Sequence, residues 1–191
     1  MGRPREFEAD SVVEQAMETF WTHGYANTSP ALLAEATGIG KGSLYNTFGS
    51  KRQLFDLALA HYEQMGVRLV TQILSQPGTT RERLRAWLRF AVDADLEGSV
   101  RRGCMVTNTA VELAGHDEQA TAAVRAGLER ITAAVADRIE QGRRDGDVRA
   151  DIDARAYADF MSNTLAGLRI TAKTADAAML YRIIDTALST L

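Results

Sequence analysis

Residues 28–51 read TSPALLAEATGIGKGSLYNTFGSK, and the rest of the chain is organised around them. Thr28 is placed to cap a helix, its hydroxyl accepting from an early backbone N–H, and Pro30 falls in the first turn, where its missing N–H matters little. Leu32, Leu33 and Ala36 recur at helical spacing as far as Thr37-Gly38, where glycine enters positive φ cheaply and ends the helix. Ile39 fills the corner. Gly40-Lys41-Gly42-Ser43 opens a second helix whose Leu44 and Phe48 lie one turn apart facing inward, leaving Lys41, Ser43, Tyr45 and Asn46 outward. Two short helices, a tight turn and a polar face on the second predict a helix-turn-helix, which sets the start of its second helix against base edges in the DNA major groove.

On that reading the candidate DNA contacts are Thr28, Ser29, Lys41, Gly42, Ser43, Tyr45, Asn46 and Lys51. Lys41 and Asn46 donate to purine acceptors, Ser43 and Tyr45 offer hydroxyls to phosphate, and Gly40 and Gly42 let the backbone approach. Lys51 and Arg52 start the next helix beside a second phosphate. The pattern T-S-x3-L-A-x2-T-G-I-x-K-G-S-L-Y-x-x-F-x-S-K closely resembles the DNA-binding signature of the TetR family of bacterial transcription factors. The family usually has serine where Gly40 stands, so this second helix starts from a weaker cap, by a few tenths of a kcal/mol. The cluster GIGKGS does not make a phosphate-binding loop, because Lys41 is followed by Gly42 rather than Ser or Thr and the preceding pattern is helical.

With 191 residues and 46% hydrophobic content the chain can bury a sizeable core, and it lacks the apolar run of about 18 residues that spans a membrane. The N-terminus MGRPREFEADS has no signal-peptide core, and a single cysteine leaves no internal disulfide, so a cytoplasmic protein is expected. The formal net charge of −3 excludes a general nucleic-acid coat and asks for a local patch, for which Arg3, Arg5, Lys41, Lys51 and Arg52 are available. Few prolines and little strand-like alternation predict an all-α chain of about nine helices.

Upstream of the opening stretch, Arg3-Pro4-Arg5 reads either as a basic arm able to reach the minor groove or the backbone, or as a frayed terminus. A helix follows from about residue 8 to 23, with Val12, Val13, Ala16, Met17 and Phe20 as its stripe. Residues 1–50 then form a three-helix DNA-binding head, and 51–191 a ligand-binding and dimerisation region. Periodicity predicts helices over about 51–75, 81–96, 118–144, 154–171 and 176–191, with Thr79 or Thr80, Asp117 and Asp153 as caps.

The stretch RRGCMVTNTAVEL at 101–113 places Cys104 and Asn108 one helical turn apart behind two arginines, a setting that lowers a thiol pKa, although a lone cysteine is more often packing. Its G-C-x3-N-x-A-x-E-L pattern resembles a motif of one TetR subgroup, some of whose members sense oxidants or electrophiles through such a cysteine. No second cysteine or paired histidine stands at ligand spacing, and His23, His61 and His116 form no catalytic constellation, so neither a metal, a cofactor nor an enzyme is expected.

The resemblance implies an effector pocket between residues 60 and 165, with Tyr62, Met65, Trp87, Phe90, Cys104, Met105, Asn108 and Phe160 as candidate lining. Met161, Leu165, Leu168, Leu180, Ile183, Ile184 and Ala187 on the last two helices are the expected interface of a homodimer built through a four-helix bundle. The expected function is a regulator, most simply a repressor, released from a palindromic operator by a small-molecule inducer. Two alternatives stand beside it: a sensor acting through Cys104, and a dimeric helical binding protein that does not use DNA.

Overall fold

The computed structural model describes residues 3–191, with side chains from residue 9 onward, and these residues form helices with no strand among them. In chain order they are α1 (Arg3–His23), α2 (Pro30–Thr37), α3 (Lys41–Phe48), α4 (Lys51–Leu74) and α5 (Thr80–Glu97), then α6 (Met105–Leu113), α7 (Glu118–Asp145), α8 (Ala154–Thr171) and α9 (Ala177–Ala187). α1 starts earlier than its apolar stripe predicts, and the Arg3 and Arg5 side chains of the expected arm lie outside the described ones.

Packing divides the chain into two units. The first takes the described residues up to Met65 together with Met105–Val124, and the second takes Gly66–Cys104 together with Arg125–Leu191. The boundary expected at residue 50 therefore falls inside the first unit. The early turns of α4 cause this, because Leu54, Phe55, Ala58 and Leu59 are all buried. Phe55 meets Phe20 edge-on at 5.1 Å and Tyr25 at 4.9 Å, so α1 and α4 share one aromatic cluster. Burying the Phe20 and Phe55 rings contributes about 1.5–3 kcal/mol each.

Within the first unit the local chemistry differs from the sequence reading at one position. Ser29, not Thr28, caps α2: its Oγ accepts from the Leu32 N–H at 3.1 Å. Thr28 is fully buried and its hydroxyl donates to the Gly24 carbonyl at 2.6 Å, which draws that side chain back into the turn. Gly38 ends α2 at φ 66°, as the glycine predicted, and α3 starts at Gly40 with no side-chain cap.

The second unit is built around Leu84, Trp87, Leu88, Val92, Val135, Ile139, Met161, Leu168, Leu180 and Ile184. Thr79 and Glu82 close a capping box at the start of α5, while the buried Thr80 donates both its N–H and its hydroxyl to Asp147 at 2.8 Å. Asp153 and Asp176 cap α8 and α9 through the amides of Ala156 and Met179. The Tyr157 hydroxyl donates to the Ala187 carbonyl at 2.6 Å, tying α8 to the end of α9. Asp95 on α5 pairs with Arg169 on α8 at 2.6 Å, and burial pushes the Asp95 carboxyl up while Arg169 pulls it back.

This packing corrects the expected dimer surface. Met161, Leu168, Leu180, Ile184 and Ala187 are buried within the protomer, because α8 and α9 turn these faces onto α5 and onto each other. Only Leu165 and Ile183 of the expected set keep partial exposure. The large apolar side chains that α8 and α9 leave open are Phe160, Ile170 and Met179.

Candidate nucleic-acid interface

The first unit presents α3 as a short helix with one locked and one open face. Leu44 is fully buried, whereas Lys41, Gly42, Ser43, Asn46 and Thr47 are exposed. Thr47, four residues after Ser43 and absent from the sequence-based set, donates to the Ser43 carbonyl at 3.0 Å and belongs to the same open face. A Cβ at Gly40 or Gly42 would meet no atom of the protein within 4 Å, so the fold does not require glycine at either position.

Tyr45 departs from the expectation. Its ring is half-buried, and its hydroxyl is turned inward, out of contact with solvent and without a hydrogen-bond partner. Burial, with a smaller contribution from Tyr25, raises its pKa.

The basic patch is also smaller than the sequence suggests. Arg52 donates through Nε to Asp56 at 2.8 Å and forks onto both carboxylate oxygens of Asp117, the longer contact being 3.0 Å, so it is not available to a phosphate. Lys51 Nζ lies 4.4 Å from the centre of the Tyr25 ring, and desolvation lowers its pKa against the pull of Glu112. Lys41 is exposed.

Asp117 caps α7 as expected, through the Ala120 N–H at 2.9 Å. Arg52 first and that amide second hold its carboxyl down to about 2. An unfolded aspartate titrates near ~3.9, so between the two values the folded chain binds fewer protons and stability rises with pH. The contribution is therefore full above about pH 4 and is lost as pH falls toward about 2. Acid unfolding followed by circular dichroism is expected to show a shallower loss across that window in Asp117→Asn, and an unchanged acid limb would contradict the pairing.

The expected effector residues are scattered in their environments. In the first unit, Met105 is buried, Tyr62 packs edge-on against Trp21 at 4.9 Å, Asn108 is half-buried and Met65 is exposed. In the second, Trp87 is core, Cys104 is half-buried, and Phe90 and Phe160 are about half exposed, at 48% and 49%. The Arg101 guanidinium donates to the Ala172 and Ala175 carbonyls, both at 3.0 Å, which directs it to the end of α8.

Comparison with known proteins decides what this architecture is. Residues 12–58 match the family model of bacterial regulatory proteins of the tetR family, and residues 80–187 match the tetracyclin repressor-like C-terminal domain. The chain belongs to the TetR family. It is 30% identical to the uncharacterized HTH-type transcriptional regulator YezE of Bacillus subtilis, over the whole of both chains. It is 26% identical to the HTH-type transcriptional repressor ComR of Escherichia coli, covering all of this chain and 90% of that one. Among solved structures it resembles a cysteine mutant of the TetR family regulator CifR complexed with a 26 bp double-strand operator, with TM-score 0.84, 33% identity and 94% of each chain covered. This TetR-family chain is thus a DNA-binding transcriptional regulator, and α2–α3 is its helix-turn-helix. No helix among its described residues is long and apolar enough to cross a membrane.

Proposed function

We propose that the protein is a cytoplasmic homodimeric repressor that holds a palindromic operator and is released by a small-molecule effector. The observation that carries the DNA part is the open face of α3, where Lys41, Ser43, Asn46 and Thr47 stand beside Gly40 and Gly42, two glycines that the fold itself does not need. A recognition helix with free polar side chains and a close-approaching backbone is what major-groove reading uses. Ser29, Tyr45 and Lys51 flank it, and meeting a phosphate requires the Tyr45 hydroxyl to turn outward. Residues 1–50 carry the reading helices of the first unit, and the dimer surface lies in the second unit, on α8 and α9. Phe160, Ile170 and Met179, with Leu165 and Ile183 beside them, supply the surface on which a second copy packs. CifR bound to operator DNA and ComR, a repressor by name, support the same reading.

The effector belongs among the helices after residue 60. A thiol switch at Cys104 has less support, because Arg101 is engaged with the end of α8 and one of the two expected neighbouring cations is removed.

The test is fluorescence anisotropy with a duplex that the protein itself enriches from a random-sequence library, run over a salt series. Log affinity is expected to fall linearly with log salt at a slope of about −0.9 per neutralised phosphate. Lys41→Ala is expected to weaken binding by about 1–3 kcal/mol, roughly 5–150-fold. A flat salt response in the wild-type chain would remove the DNA reading, and a monomer by analytical ultracentrifugation would remove the dimer.

A further inference from the structure

We infer that Glu112 is a positioning residue for operator binding: its carboxylate holds the turn that enters the helix-turn-helix, and Asp117 holds the helix that leaves it. The inference rests on the DNA reading above.

The contact is built on both sides. Glu112 on α6 accepts from two consecutive backbone amides, Tyr25 N–H at 2.9 Å and Ala26 N–H at 2.6 Å, 87 and 86 residues away in sequence. Hydrogen bonds from amides to an ionised carboxylate are among the strong ones. The turn is shaped for it: Gly24 has φ 79°, and a Cβ there would meet Glu112 Oε2 at 2.9 Å. The Thr28 hydroxyl closes the same turn onto the Gly24 carbonyl, and Ser29 then starts α2.

The other end of the reading pair is held by the same segment. α3 ends at Phe48 with Gly49 as its C-cap, α4 starts at Lys51, and Arg52 in its first turn is gripped by Asp117. Gln119 adds a bond from Nε2 to Asp56 Oδ2 at 2.8 Å, and Asp56 also accepts from Arg52. Two carboxylates from residues 105–124 therefore bracket α2 and α3 at entry and exit. The sequence motif G-C-x3-N-x-A-x-E-L drew attention to its cysteine and asparagine; its glutamate is Glu112.

Two heads that meet two half-sites at once need a fixed pose, because loosening either adds an ordering cost on binding and lowers the effective concentration at the second half-site. Glu112 bonds the turn and not the open residues of α3, and its charge also acts on Lys51, so its effect on DNA passes through the turn and, in the opposite sense, through that lysine. The sign separates this role from simple charge. Removing a carboxylate from a DNA-binding unit tightens binding on Coulombic grounds, whereas losing a positioning bond weakens it.

The experiment compares wild type, E112A and E112Q by anisotropy on the library-selected full operator and on a duplex carrying one half-site. E112A is expected to bind the full operator about tenfold or more weakly and the half-site within about twofold of wild type, since only simultaneous engagement needs the pose. E112Q, which keeps the side-chain length and one acceptor oxygen, is expected to fall between them and covers the case in which E112A does not fold. Amide exchange at Tyr25 and Ala26 is expected to quicken in both. Full-operator binding as tight as wild type or tighter overturns the inference alone, and parallel loss on both duplexes overturns it in favour of a merely structural bond. A wild-type chain that binds no selected duplex overturns the DNA reading together with the inference.

Discussion

Asp95→Ala is expected to destabilise the protein by about 3–5 kcal/mol, the range measured when one partner of a buried ion pair is removed. The Asp95 side chain is 5% exposed and that of Arg169 13%, and they meet at 2.6 Å inside the second unit, where Lys173 and Arg102 also act on the Asp95 carboxylate. The same guanidinium donates through Nη2 to the Gly103 carbonyl at 2.6 Å, so Arg169 joins α5, α8 and the loop before α6. Truncating the aspartate takes away the carboxylate that meets this largely buried guanidinium and leaves it the Gly103 carbonyl as a neutral acceptor. For a chain of this size the loss corresponds to a fall in Tm of roughly 6–20 °C, readable by differential scanning calorimetry. The double variant Asp95→Leu with Arg169→Met is expected to lie nearer wild type than the sum of the single changes, because an apolar pair strands no charge. Additive losses, or a Tm within about 2 °C of wild type, would show that solvent reaches the pair.

Leu44→Ala acts on the other unit. Leu44 is fully buried beneath α3, and removing three methyl-sized groups from a core position of this kind costs about 2–5 kcal/mol through lost transfer energy and the cavity left behind. α3 has eight residues and Leu44 is its fully buried apolar anchor, so the loss falls directly on the recognition helix. Operator binding is expected to drop sharply while far-UV helicity stays close to wild type, because the second unit keeps its own core. Retained affinity in this variant would mean that α3 is held from elsewhere.

What the sequence made legible was what short-range chemistry determines. Gly38 ends α2, Thr79, one of the two threonines expected at the start of α5, caps it, and Asp117 and Asp153 cap their helices, each within a few residues of the group it serves. The choice between adjacent hydroxyls was not legible, since Thr28 and Ser29 are both good caps and the Gly24 carbonyl decides between them. The apolar stripes of α8 and α9 showed that their faces are covered, but periodicity is silent on the cover. Leu168, Leu180 and Ile184 belong to a core that α8 and α9 share with α5, and of the outer residues Phe160 was expected in an effector pocket while Ile170 and Met179 stood in no expected set. At the candidate interface, the open face of α3 followed from helical spacing. The withdrawal of Arg52 did not, because it depends on Asp117, 65 residues away in sequence, and neither did the inward turn of the Tyr45 hydroxyl.

The chain visits its first unit twice, and this bears on synthesis as well as on binding. The amino-terminal helices leave the ribosome early, yet the two carboxylates that secure their turn and their exit are not made until residues 112 and 117. A nascent chain that stops at α5 thus carries a reading helix without its anchors. A chimera that borrows the amino-terminal helices from a relative must take residues 105–124 from the same parent, or the transplanted head will meet a foreign hook.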